Sequence, residues 1–223
     1  MLFDFRNAFD VNHLLLSFAC LLFILFITNI YKVSFLQKIL LFSISVNLLF
    51  FNFLAINNNL YSFKNHLPLH LCYLTEIGIL LSIFFRNQKF TTWILLNAMF
   101  GAITALLNSN LDSSSSYIER LHFFISHSNL ALFTIILYKS KFKIKYSNLI
   151  FSINANLILL FSIHTFNYYF STNYLFTFAK PKGINMSFLL PEWPFYYFFL
   201  IIFGLSSYYI TFILFNTKSK TFQ

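Results

Sequence analysis

Seven apolar runs, at residues 14–30, 39–56, 69–85, 91–107, 121–138, 146–166 and 195–215, limit what this chain can fold into. A helix that crosses a bilayer needs about 20 mostly apolar residues, and each run comes close to that length. Little sequence lies between them. Of the 223 residues, 58% are hydrophobic and 9% charged, with a mean hydropathy of +0.71, too little polar surface for a soluble domain. The expectation is an all-α polytopic membrane protein, a single integral membrane domain over residues 1–223 with about seven transmembrane helices. The 34 Phe and 13 Tyr, beside abundant Asn, Ile and Lys, reflect an AT-rich genome, so no single Phe is given functional meaning.

Charge sets the expected orientation, because Lys-rich and Arg-rich loops stay cytoplasmic. Alternate loops on one side hold Lys32, Lys38, Arg86, Lys89, Lys139, Lys141, Lys143, Lys145, Lys218 and Lys220. The other side holds only Arg6, Lys64, Arg120, Lys180 and Lys182, together with Asp4, Asp10, Asp112, Glu119 and Glu192. This places the N-terminus outside and the C-terminus inside. Asp4 and Asp10 against Arg6, with no small-residue cleavage site, make the first run a retained helix rather than a signal peptide. The Ser113–Ser116 stretch reads as a flexible loop, and the long connection 167–194 as a folded lid or re-entrant segment. Three arginines are too few for a nucleic-acid surface, so no nucleic-acid partner is expected.

On this topology the polar chemistry is one-sided. His13, His66, His70, His122, His127 and His164 fall in the outer half, as do Cys72, Glu76 and all four prolines. Ionisable groups inside a span are costly and mark a functional site by default. In LPLHLC (67–72), Pro68 suits a helix start, where its missing N–H costs nothing. Cys72 and Glu76, four residues apart, share a helix face, while His70 is rotated away from Cys72. In LHFFISHSNL (121–130), His122 stands at the outer entrance and His127 roughly 7.5 Å deeper, near the expected depth of Cys72 and Glu76. A thiol needs a neighbouring base or cation to become a useful thiolate, and a histidine across a helix interface supplies one. Glu76 or Asn129 would orient that imidazole. Cys20 reads as an inert small hydrophobe. Asn47, Asn97, Asn154 and Asn156 read as interhelical hydrogen bonders, and Trp93 and Trp193 as interface-belt residues.

LPLHLC (67–72), HFFISHSNL (122–130), TNY (172–174), KP (180–181) and WPFYY (193–197) occur in the order found in the YwaF-like integral membrane proteins of bacteria. These resemble the eukaryotic transmembrane acyltransferases known as transmembrane protein 164. The resemblance covers residues 67–200. It implies a multi-pass protein of a bacterial cell membrane, acting on membrane phospholipids. It gives Cys72 the role of acyl carrier, as a thioester, with His127 as base; Glu76, on the helix face of Cys72, completes the catalytic candidates. The other candidates, for substrate binding, are His70, His122, Asn173, Tyr174, Lys180 and Trp193. The family often carries Gly-Pro-Trp-Pro-Trp before the last helix, where this chain has Pro191, Glu192, Trp193, Pro194 and Phe195. It also often carries an Arg before the Lys-Pro, where residues 175–179 have none and Lys180 and Lys182 are the nearby cations.

Two other readings fit the same residues. One is a non-catalytic lipid or small-ligand binder or carrier. The other is a zinc site from Cys72, His70, Glu76 and a span-five histidine, against which stands the uncommon His-x-Cys spacing. No cofactor is expected. There is no phosphate-cradling glycine motif and no G-x-S-x-G elbow, which argues against ATP-driven transport and serine-hydrolase chemistry.

Overall fold

A computed structural model describes residues 10–111, 115–181 and 184–217. Asp4, Arg6, Asp112, Ser113, Ser114, Lys182, Lys218 and Lys220, all used in the reading above, lie outside the described residues. The described chain is all-helical: α1 Val11–Ile30, α2 Val33–Asn57, α3 Leu71–Leu81, α4 Gln88–Leu107, α5 Tyr117–Lys139, α6 Tyr146–Phe170 and α7 Phe195–Thr217. Two short 3-10 turns, Tyr174–Phe176 and Met186–Leu189, lie between α6 and α7.

Six of these helices are long and apolar enough to cross a membrane. The third is not, which corrects the span expected at 69–85. α3 has 11 residues, about 16 Å at 1.5 Å per residue, against a hydrocarbon core of about 30 Å. The apolar run is real, but Pro68 and the turns around it keep its first residues out of the helix, and the helix ends at Leu81. The chain still passes from one end of the bundle to the other here. At one end His66 meets Glu119 of α5, and at the other Gln88 donates to the Lys143 carbonyl in the α5–α6 turn. Irregular backbone makes up the rest of the crossing. Such backbone is tolerated at depth only where its polar groups are satisfied by protein or water. Tyr174 provides this for Leu67, whose N–H donates to the phenol oxygen at 3.0 Å.

Lateral packing explains which helices are central. α5 packs against α1, α2, α3 and α4, and α4 packs in turn against α6 and α7. The best apolar windows of α4 and α5 are each 44% buried and that of α6 only 17%, so α6 sits on the rim. Apolar side chains on the outer faces, such as Phe42, Leu49, Phe161 and Ile202, are exposed, as a lipid-facing belt requires. Gly78 brings α3 close to α4, since a Cβ there would stand 3.2 Å from Ile94 Cγ1. Polar side chains join the helices inside. Trp93 donates to Asn156 at 2.8 Å, Asn156 donates to Asn97 at 2.9 Å, and Tyr208 donates to Asn97 as well.

The lysine asymmetry predicts which end faces the cytoplasm. Asn65 and Ser140 are exposed at opposite ends of the bundle. In a chain lacking Cys20 and Cys72, Asn65→Cys should react with a membrane-impermeant maleimide in intact cells. Ser140→Cys should react only after permeabilisation, and the reverse pattern would invert the topology.

Candidate functional site

The site is built where α3 meets α5. Glu76 is fully buried and accepts two hydrogen bonds from α5, from Ser126 Oγ at 2.7 Å and Asn129 Nδ2 at 3.1 Å. Asn129 in turn accepts from Ser43 Oγ of α2 at 2.8 Å, so one carboxyl group ties three helices together. None of these partners is a cation. Cys72 lies a turn before Glu76 and is partly buried, packed among apolar side chains. Its sulfur lies within reach of the backbone N–H groups of Cys72 and Tyr73, at the start of a helix that no side chain caps.

The histidines take different roles around this pair. His127 is buried, and its Nδ1 lies 2.8 Å from the carbonyl oxygen of Phe123. A carbonyl only accepts, so the proton resides on Nδ1 and Nε2 carries the basic lone pair. Neither Glu76 nor Asn129 orients this ring, as sequence reasoning had it; the backbone of its own helix does. The His70 ring packs against Tyr174 and Phe176 at 5.1 and 5.4 Å, with no hydrogen bond to either nitrogen among the described residues. His122 is more than an entrance residue. It stacks on Phe51 at 3.9 Å, faces Tyr73 at 4.9 Å, and pairs through Nδ1 with Asn47 Oδ1 at 3.1 Å. Glu76 is level with Ser126 and Asn129, so Cys72 lies nearer the level of His122 than the sequence spacing implied. No hydrogen bond joins Cys72 to His127 in this structure among the described residues. Nor does any group of three or more His, Cys, Asp or Glu side chains gather closely enough to hold a metal ion among them.

The segment after α6 covers this end of the bundle, and the remaining candidates shape it. Tyr174 is fully buried; its hydroxyl donates to the Phe63 carbonyl at 2.6 Å while accepting from Leu67. Burial pushes the Tyr174 phenol up from its ordinary value, so it stays protonated and keeps that donor. Asn173 folds the following turn, accepting from the N–H groups of Phe178 and Ala179 and donating to the Ala179 carbonyl. Lys180 is engaged by the Leu190 carbonyl and the Glu192 carboxylate, both at 2.7 Å. Trp193 is half-exposed and donates to the Thr177 carbonyl at 3.2 Å. Asn173, Tyr174, Lys180 and Trp193 thus hold the covering segment together, and Tyr174 alone of these four touches the histidine cluster.

A family model described as the TMEM164 family matches residues 7–212. The chain belongs to the TMEM164 family. The match takes in α1 to α6, the covering segment and α7 as far as residue 212, and so includes the α3–α5 pair. No curated protein and no solved structure shows significant similarity to the chain. For this TMEM164-family chain, several site residues were not singled out by sequence reasoning. Asn167 is 1% exposed and makes four hydrogen bonds, to both backbone groups of Tyr174 and to the hydroxyls of Thr172 and Thr177. An Asn at the end of an apolar helix, followed by Ser-Thr-Asn, was the available signal. Ser126, Ser43 and Tyr73 carried none, since small hydroxyls and tyrosines abound in every span.

The Glu76 network makes a quantitative expectation. Glu76→Ala leaves the Asn129 amide buried and unsatisfied, at about 1–3 kcal/mol for such a group. Ser126 can turn back to a carbonyl of its own helix, so its loss is smaller. Glu76→Ala should therefore cost about 2–4 kcal/mol in total, read by thermal unfolding of the purified protein. Glu76→Gln keeps one acceptor and the shape, and should lie close to the native chain; equal stability of both variants would contradict the network.

Proposed function

We propose that this chain is a TMEM164-family enzyme of the bacterial YwaF-like branch, resident in the cell membrane. It moves fatty acyl groups between membrane phospholipids through a thioester on Cys72. The observation that carries the reading is the tautomer of His127. Its Nδ1–H is committed to the Phe123 carbonyl, and Nε2 is left as the basic nitrogen of a buried ring. The position of Cys72 supports it as well, because its sulfur stands at the start of a helix that no side chain caps, where backbone N–H groups are left to receive an oxyanion.

In the first half-reaction the Cys72 thiol gives its proton to His127 Nε2 and the sulfur adds to the ester carbonyl carbon of a phospholipid. N–H groups at the start of α3 receive the developing oxyanion. The carbon–oxygen ester bond then breaks, and the departing lysophospholipid oxygen takes the proton from Nε2. In the second half the hydroxyl of an acceptor lysophospholipid gives its proton to Nε2 and attacks the thioester. The carbon–sulfur bond breaks, and the thiolate recovers that proton. Water in the acceptor's place makes the same site a lipid hydrolase. The hydrogen bond between nucleophile and base forms with substrate present, as is common where the free site is loose.

A second reading, lipid binding without a covalent step, is favoured by the absence of a Cys72–His127 hydrogen bond among the described residues. Intact mass of the protein in lipid nanodiscs separates the two. With phospholipid labelled in its acyl chain, the proposal expects an acyl adduct released by hydroxylamine, lost in Cys72→Ser and strongly reduced in His127→Ala. No adduct from any donor class, with lipid still co-purifying with both variants, would leave the binding reading.

A further inference from the structure

An apolar groove runs between α6 and α7 on the far side of α3, with a cavity volume of about 160 Å³. Its upper end is formed by Leu71 and Leu175. Leu71 lies between His70 and Cys72 in sequence, and Leu175 lies between Tyr174 and Phe176, whose rings pack on His70. Leu175 and Phe176 hold left-handed backbone at φ 55° and 54°, unfavourable for such side chains and maintained by the hydrogen bonds of the covering segment. The lower end is lined by Ile153 and by two polar side chains. Asn156 and Tyr208 line it, and both are fixed by Asn97, so their hydrogen bonds are taken up within the protein. Along α7 the lining runs from residue 197 to 208, about 16 Å at 1.5 Å per residue.

We propose that this groove holds one fatty acyl chain, with its ester end at His70 and its methyl end stopped by Asn156 and Tyr208. The inference rests on the acyl-transfer reading above and adds to it the residue that sets chain length. Three observations select a hydrocarbon chain as the occupant. No lining side chain is charged, so the groove offers nothing to an ionic ligand. Its upper end lies beside the His70 wall of the candidate site, since Leu71 follows His70 and Leu175 precedes Phe176, whose ring packs on His70. The His70 imidazole, without a hydrogen-bond partner among the described residues, has one N–H to donate to an ester or phosphate oxygen. The groove also opens sideways, because Leu157 and Leu205 on its rim are exposed on the apolar belt, and a chain enters from the bilayer without crossing water. Gly204 sets the width. A Cβ built there meets no atom within 4 Å, so the glycine answers no packing need of the protein and leaves the lower groove clear.

The test uses the full chain with Cys72→Ser, which binds without turnover, in a detergent lacking acyl chains. Native mass spectrometry measures lysophospholipids with short, medium and long saturated tails. Affinity should rise with tail length until Asn156 and Tyr208 are reached. Gly204→Phe should weaken the long-tailed probe while leaving the short one unchanged. Excluding two methylenes, at about 0.8 kcal/mol each, corresponds to about a tenfold loss. Gly204→Val, a smaller plug, keeps the test informative if Phe is not tolerated, and should give an intermediate loss. A folded Gly204→Phe chain with an unchanged tail-length profile overturns the proposal. The two inferences fail separately. Adducts on Cys72 with no Gly204-dependent length preference would sink the groove and leave acyl transfer standing. A shifted binding profile with no adduct on the native chain would do the opposite.

Discussion

The structure depends on one buried carboxyl group. α3 is too short to be fixed in a bilayer by its own hydrophobic length, so its depth and rotation must come from its neighbours. Glu76 provides them, accepting from Ser126 and Asn129 on α5 and reaching Ser43 of α2 through Asn129. A shift of α3 along its axis would strand these donors in an apolar interior, where an unsatisfied group is costly. Everything preceding Glu76 on α3, including Cys72 and the start of the helix, is therefore held relative to the histidines of α5.

A second layer of satisfaction covers that end. Tyr174 and Asn167 between them occupy the backbone groups of residues 63, 67 and 174, so the segment after α6 and the loop before α3 are held by the same side chains. His66 adds a contact at 3.4 Å to Glu119, whose capping box with Ser116 starts α5. The irregular backbone permitted here is what allows a thiol, a carboxyl group and several imidazoles to share one end of an otherwise apolar bundle. The opposite end is built differently, with Asn216 bracing the lysine-bearing turn before α6.

The helices were legible because hydropathy reports them directly, and all seven fall on apolar runs in the sequence. What hydropathy does not report is whether an apolar run is helical throughout. The run at 69–85 satisfies the count, while Pro68 and its turns take residues 69 and 70 out of the helix and a turn after Leu81 takes out residues 82–85. The clustering of His13, His66, His70, His122, His127 and His164 towards one end was legible too, from loop charges and spacing alone. The roles of Lys180, Asn173 and Tyr174 were not. Their partners lie in distant or irregular segments, and nothing local distinguishes a lysine that braces a loop from one that meets a head group. For His127 the decisive contact is to the carbonyl four residues earlier in its own helix, a partner every helical residue has nearby.

The central claim is that His127 activates Cys72, and the reactivity of that thiol tests it without any assumption about the lipid. In nanodiscs, with Cys20→Ala to leave one thiol, the rate at which a lipid-soluble maleimide alkylates Cys72 at neutral pH reports its thiolate fraction. The account predicts that His127→Gln slows this reaction by about tenfold or more, the equivalent of one unit in the thiol's acidity. Equal rates in the two proteins, both folded, would show that the imidazole does not act on the thiol and would contradict the account.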